Sequence, residues 1–499
     1  MPSPQIDRVI TLGGGSAGCI AALTLKRRLP RLEVIIVRSP EIGVIGVGEG
    51  TTPNITHHFH NFLGLSRGTF FAEAQPTWKL GLRFEWGPRP YFHYALAGGY
   101  ASHWKDLPKT NGFYTRNGDE MSYVTLESRF MEHDRVFDRM ANGLPNVRGD
   151  VPYHLENRKL VVYLEARCLE AGVQFMDRSV VEVRRGESGI AALILDDGQS
   201  LRADLFLDAS GFRSELIGRA LAEPFESYED TLFCDRALIG GWERTDETVR
   251  PYTTAETMNA GWCWRIDHEH FINRGYVFSS QFLSDDEAER ELRAKNPRLG
   301  SVRAVSFRCG VHRRTWIDNV VAVGNAAGFV EPLEATALMV ICGQMQALTI
   351  ALEEADARPT ESLRRNFNRF MSGIWNEIRD FLAVHYRFNT RLETPFWRHC
   401  RSDTPLREAE EIVNFYRENG PSHSAQSVLL RASTPFGLNG FLVILQGQAV
   451  PTDYTYAPSA SEWEAWQRHC RDLEARAQRA FTVPEALAVV RDPRWQWTG

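Results

Sequence analysis

The glycine run Gly13-Gly14-Gly15-Ser16-Ala17-Gly18 limits the fold of this chain more than any other stretch. It follows a short apolar run, Arg8 to Leu12, and leads into Cys19 to Arg28, which reads as helix. A second apolar run, Leu32 to Val37, comes next. Strand, glycine turn, helix and strand in that order open a Rossmann-type domain. Gly13, Gly15 and Gly18 permit a tight turn and a close approach of backbone to a pyrophosphate, which would sit at the helix N-terminus over Ser16 and Ala17. A dinucleotide is therefore the expected ligand. The second strand ends in Val37-Arg38-Ser39, with Arg38 where an acid usually holds the ribose hydroxyls. An arginine there suits the 2′-phosphate of NADP, and equally the adenine or a phosphate of FAD.

Further pieces of the same domain lie far downstream. Arg158 to Gly172 reads as helix and Val173 to Met176 as strand. Val180 to Arg184 and Ala191 to Leu195 read as a hairpin. Two buried strands end in turns, Phe206-Leu207-Asp208-Ala209-Ser210-Gly211 and Val323-Gly324-Asn325-Ala326-Ala327-Gly328. The nucleotide-binding domain is thus expected to be discontinuous, with substrate-side segments inserted between its parts. From Met339 onward, apolar residues recur at helical spacing through Ala355 and again from Ser362 to Phe388. The expected division is a module over residues 1–360 and a mostly helical C-terminal region over 361–499.

The chain has 499 residues and a formal net charge of -6, so no basic field argues for nucleic acid. No apolar run approaches the roughly 18 residues that cross a bilayer, so no membrane span is expected. The eight cysteines are spaced singly and read as buried thiols in a reducing compartment. His57, His58 and His60 cluster without an acid at ligand spacing, and no metal site is expected. With no signal-peptide form before Gly13, the expected location is cytoplasmic.

Three further segments carry chemistry. Lys79 lies in Pro76-Thr77-Trp78-Lys79-Leu80-Gly81-Leu82-Arg83-Phe84, an apolar, strand-like setting. Burial there would lower a lysine's pKa and make its amine reactive or hydrogen-bonding. Glu334 lies in Glu331-Pro332-Leu333-Glu334-Ala335-Thr336-Ala337, a turn before a helix, where backbone amides are free to hold an anion. Gly261-Trp262-Cys263-Trp264-Arg265-Ile266-Asp267 places two tryptophans on one side of a strand.

Together with Gly46-Val47-Gly48-Glu49-Gly50-Thr51-Thr52-Pro53 and Arg274-Gly275-Tyr276-Val277-Phe278, these segments resemble the flavin-dependent halogenases of the tryptophan-halogenase family. The resemblance covers most of residues 8 to 390. It departs at Asp267, where the family's Trp-x-Trp-x-Ile-Pro signature ends in proline, and at Asn325, where an aspartate is common. It implies an α/β fold: a discontinuous Rossmann-type FAD-binding domain of the flavin monooxygenase superfamily with a mostly helical C-terminal region. FAD would be held by the glycine loop, Arg38, a strap including Gly48 and Glu49, and Asp208, Gly324, Asn325 and Leu333. The family implies a halide bound by the backbone of Thr336 and Ala337.

It also implies a reaction. Hypohalous acid formed at the flavin meets Lys79, which becomes a haloamine or donates a hydrogen bond to the oxidant. Glu334 positions the oxidant or takes the proton from the arenium intermediate. Trp262 and Trp264 wall the flavin off from substrate, and His93 lies near where relatives stack an aromatic ring on it. The implied substrate is a small electron-rich aromatic, an indole or related heteroaromatic, with chloride or bromide as halide. A separate reductase would supply FADH2, since no second nucleotide fingerprint is visible, and a homodimer is compatible with such a chain. The rivals are a flavin monooxygenase that hydroxylates its substrate directly and a non-catalytic flavoprotein.

Overall fold

The computed structural model describes residues 5–43, 48–96, 113, 121, 123, 125–422, 424, 429 and 435–497. By contact the chain divides into two compact units. The first is Met1–Gln75, Leu155–Glu229 and Phe307–Asn376; the second is Pro76–His154, Asp230–Ser306 and Glu377–Gly499. The chain thus passes between the units several times.

The first unit is built on a six-stranded sheet. Its strands run, edge to edge, Trp316–Ile317, Val320–Ala322, Leu205–Asp208, Arg8–Leu12, Glu33–Arg38 and Gln174–Asp177. All neighbours are parallel except the first pair. Ile10 lies opposite both Ile35 and Phe206, and Phe206 opposite Val320. These strands read as nearly continuous apolar runs because a parallel sheet is covered on both faces. One face packs a core of Ile10, Ile35, Val37, Phe206 and Val320 against Leu193 and Leu195 of the hairpin Val180–Gly186 and Gly189–Leu195. The helix Ser16–Arg28 packs against the helices Asn157–Ala171 and Thr336–Glu354. Thr336–Glu354 is long and apolar enough to cross a bilayer by length and composition, but most of it is buried inside the protein. A core helix meets the same test.

The second unit carries a seven-stranded sheet in the order Arg303–Ser306, Arg236–Glu243, Phe271–Phe278, Gly261–Asp267, Tyr252–Met258, Gly81–Glu85 and Phe92–Ala95. It is antiparallel except where Tyr252–Met258 meets Gly81–Glu85. Helices Pro395–Asp403, Ala409–Asn419, Gly437–Gly447, Ala460–Arg479 and Val483–Val490 follow, giving the expected helical C-terminal region. Local chemistry sets their starts. Ser459 with Glu462 and Thr482 with Glu485 form reciprocal capping boxes that satisfy first-turn amides. Trp397 anchors this region, stacking on Tyr386 at 5.6 Å and donating from Nε1 to the carbonyl of Met258 at 2.7 Å.

Candidate active site

In the first unit the glycine loop joins the strand Arg8–Leu12 to the helix Ser16–Arg28. Gly13 has φ +119, and a Cβ there would lie 2.2 Å from the carbonyl oxygen of Ala209. A Cβ on Gly18 would lie 1.9 Å from the carbonyl oxygen of Gly13. These two glycines are demanded by the fold itself. Gly15 differs: a Cβ on it would meet nothing within 4 Å. Gly15 is also the N-cap of a helix whose first turn has no side-chain cap. Open space above uncapped amides at the positive end of a helix is what a pyrophosphate needs, so these residues fit a bound dinucleotide. Gly15→Val is therefore expected to leave the unfolding midpoint unchanged while weakening flavin binding on the order of a hundredfold. Fluorescence titration and thermal unfolding on the same sample check both halves.

Arg38 runs alongside the loop: a Cβ on Gly14 would lie 2.5 Å from its Cδ. Its guanidinium pairs with Asp177 at 2.6 Å and with Glu165, and its Cζ lies 4.9 Å from the centroid of the Phe175 ring. A guanidinium already answered by two carboxylates is a poor seat for a 2′-phosphate. Asp208 is fully buried and committed to its own chain. Oδ1 accepts from the Ser210 hydroxyl at 2.6 Å, and Oδ2 accepts from the amides of Leu216 and Ile217 at 2.8 and 2.9 Å. Asp208 therefore shapes the turn after its strand. Gly324 has φ +61 and sits against Ala17 on the loop helix, and Asn325 follows it, half-buried.

Gly48 and Glu49 lie in the short extended segment Gly48–Gly50, and Gly46 and Val47 lie outside the described residues. Desolvation pushes the Glu49 carboxyl up to about 7. The turn Pro332–Glu334 buries Leu333 and Glu334, each 1% exposed. Ala335, at φ +56, then swings the chain into the helix Thr336–Glu354, which has no side-chain cap. Thr336 is buried and Ala337 exposed. The expected histidine cluster is occupied with packing. His58 lies between the Thr24 hydroxyl at 2.9 Å and the Gln346 amide at 3.1 Å, and His60 meets the Leu65 carbonyl at 2.8 Å.

In the second unit Lys79 is fully buried. It follows the strand Thr77–Trp78, which pairs antiparallel with Tyr153 and His154. The Lys79 amide donates to Pro152 at 2.9 Å, and the Leu80 amide to Pro251 at 2.6 Å. Trp78 packs edge-on against Phe137 at 4.9 Å. The Thr77 hydroxyl donates to the Asp267 carbonyl at 2.9 Å, and His154 Nε2 lies 2.9 Å from the Thr253 hydroxyl.

Asp267, the residue in place of the signature proline, is fully buried between Arg244 at 2.5 Å and Arg265 at 3.0 Å. Arg244 also donates to the carbonyls of Glu247, Thr248 and His268. The departure from proline is thus built into an ion-pair network. Asp267→Ala would leave two largely buried guanidiniums without their acid. It is expected to destabilise the protein by about 3–5 kcal/mol, read as a lowered denaturant midpoint.

Trp262 and Trp264 share a face, with ring centroids 6.0 Å apart, and are 1% and 4% exposed. Trp264 donates to Asn273 at 2.7 Å and lies over Gly275, where a Cβ would be 1.9 Å from its ring. His93 lies opposite Arg83 across the strand pair. Burial, then the charges of Arg83 and Arg129, push its pKa down to about 3. Its 3.4 Å approach to Glu132 is therefore a contact of a neutral ring, and that carboxylate takes the Tyr91 hydroxyl at 2.5 Å.

The structure thus places the cradle residues, Glu334, Thr336 and Ala337 in the first unit, and Lys79, His93, Trp262 and Trp264 in the second. His154, Thr253 and Arg244 escaped the sequence reading. His154 meets Thr77 by strand pairing and Thr253 by a hydrogen bond, Arg244 meets Asp267 by an ion pair, and no local motif marks them.

Comparison with known proteins fits this layout. The tryptophan halogenase family model matches residues 8–461. The 7-chloro-L-tryptophan 6-halogenase KtzR of Kutzneria sp. (strain 744) is 31% identical over 522 residues, spanning 97% of this chain and 99% of KtzR. The tryptophan 7-halogenase RebH of Lentzea aerocolonigenes is 29% identical, spanning 83% of this chain and 82% of RebH. Among solved structures, MibH, a lathipeptide tryptophan 5-halogenase, superposes with a TM-score of 0.90 at 36% identity, covering 98% of this chain and 94% of MibH. With the family model matched over residues 8–461 and relatives covered over nearly their whole length, this chain belongs to the tryptophan halogenase family and is a flavin-dependent halogenase.

Proposed function

We propose that this enzyme halogenates the indole ring of tryptophan, with Lys79 as the residue that receives the oxidised halogen. The observation that carries this reading is the complete burial of Lys79 in a halogenase whose nucleotide cradle lies on separate segments of chain. FAD is the flavin, held through Gly13, Gly15 and Gly18, and a separate reductase delivers it reduced. When bound, reduced flavin supplies two electrons: with dioxygen, halide and a proton it gives oxidised flavin, hypohalous acid and water.

The rest falls to the protein's own residues. The amides of Thr336 and Ala337, at an uncapped helix start, hold the halide. The Lys79 amine either forms an N–halogen bond with loss of water or holds the oxidant by a hydrogen bond. The halogen passes to a ring carbon, and Glu334 takes the displaced proton. His93, neutral and buried, contributes to the aromatic pocket with Trp262 and Trp264. The protein works in the cytoplasm and needs neither nucleic acid nor membrane.

A second reading concerns the form in which tryptophan arrives. Identity to MibH, a lathipeptide halogenase, is 36%, against 29% to 32% for the tryptophan halogenases RebH, KtzQ and KtzR. That difference favours tryptophan carried in a peptide. The test is incubation with FAD, a flavin reductase, NADH and bromide, offering indole, free tryptophan and tryptophan-containing peptides in parallel. Mass spectrometry should show a gain of bromine, largest on the preferred form. A gain of oxygen would identify a hydroxylase, and no gain on any compound would identify a non-catalytic flavoprotein.

A further inference from the structure

The segment that carries Lys79 is surrounded by more buried polar groups than packing alone explains. Side chains two residues apart on an extended segment share a face, so Lys79 and Thr77 point the same way. His154 lies directly opposite Thr77 in the strand pair, on that same face. It is fully buried, and its Nε2 is tied at 2.9 Å to Thr253, on the neighbouring sheet strand. The Thr77 hydroxyl is tied to the Asp267 carbonyl, and His268, next along, is 4% exposed. Residues 153–154, 253 and 267–268, distant in sequence, thus meet around the strand that leads into Lys79. A buried polar cluster of this kind is costly unless it serves something.

We propose that His154 is a positioning residue for halogen transfer at Lys79, its imidazole fixed through Thr253 and presented to the amine on the face that the paired strands share. Its electrostatics suit the part. Burial, then the nearby charges of Lys79 and His268, push its pKa well down, while the Asp267 carbonyl works weakly the other way. The ring is therefore neutral and offers no positive charge to compete with Lys79. Asp267, the buried acid beside this cluster, is answered by Arg244 and Arg265.

This inference rests on the reading of Lys79 given above, and its test separates the two. His154→Phe and His154→Gln are compared with wild type and Lys79→Ala under bromide, with a soluble hypohalous acid trap present. Phenylalanine fills the space but cannot bond Thr253; a glutamine amide can. In His154→Phe, product per reduced flavin consumed should fall roughly ten- to a hundredfold, the cost of misplacing a reacting group. Trapped hypohalous acid should rise in step, with flavin affinity and unfolding midpoint near wild type. His154→Gln should recover most of the product.

Wild-type product yield in His154→Phe would overturn the proposal. So would a loss that follows the unfolding midpoint and is not recovered by glutamine, since that marks a purely structural histidine. If wild type gives no halogenated product, the failure belongs to the functional reading. If Lys79→Ala alone loses product, it belongs to His154.

Discussion

In Lys79→Ala, reduced flavin is expected to be reoxidised at the wild-type rate while halogenated product falls by roughly a thousandfold or more. The two readouts separate because they depend on different parts of the chain. Oxidation of flavin needs the glycine cradle, and every cradle residue lies outside the segment 76–154 that holds Lys79. Transfer to the ring needs an oxidant held beside the substrate, and positioning of that kind contributes several kcal/mol of a barrier. Without the amine, hypohalous acid leaves for solvent and should appear in a trap in proportion to the lost product. An enzyme that hydroxylated its substrate directly would keep its product in this variant. Halogenation at the wild-type rate would end the mechanism proposed here.

Legibility in the sequence followed how local each feature is. The glycine loop could be read because turn, cradle and helix start lie within a few consecutive residues. The strand Arg8–Leu12 runs as expected, and the helix after the loop begins at Ser16, slightly ahead of the Cys19 expected, because the turn closes at Gly15. Trp262 and Trp264 could be placed on one face because strand periodicity is two. Asp208 was harder. Its motif suggested a cofactor contact, but two of its partners, Leu216 and Ile217, lie eight and nine residues on and are reached only once the turn has formed.

Position 267 shows the limit most plainly. Arg265 is two residues away and could have been suspected, but Arg244 arrives across the sheet from 23 residues earlier. His154 and Lys79 are 75 positions apart, and nothing in Tyr153-His154-Leu155 points to a lysine. Pairing across strands is a tertiary event. The motifs suggested which residues carry chemistry, and only the fold showed what surrounds them.

Glu334→Gln is expected to lower turnover by roughly ten- to a thousandfold, the range for losing a general base or an electrostatic partner in a transition state. The side chain keeps its size, so the buried turn Pro332–Glu334 should form as before. The backbone around it argues that this turn is held for a purpose. Ala335 occupies the left-handed region at φ +56 without being glycine, which costs on the order of 1 kcal/mol and persists only where the surroundings enforce it. The strain aims the first amides of a long buried helix, and the carboxylate precedes them in the chain. A glutamate that merely complemented the helix dipole would contribute about 0.3–1 kcal/mol of stability and nothing to chemistry. The two roles therefore separate in one variant. A catalytic acid-base residue loses kcat with flavin affinity and unfolding midpoint preserved; a dipole partner loses a degree or two of midpoint with kcat preserved. Glu334→Asp refines the distinction. It restores the charge but withdraws it by one methylene, so a base that must reach its proton recovers only part of its rate, while a dipole partner recovers in full. Unchanged kcat in Glu334→Gln would remove Glu334 from the reaction and leave proton removal to another group.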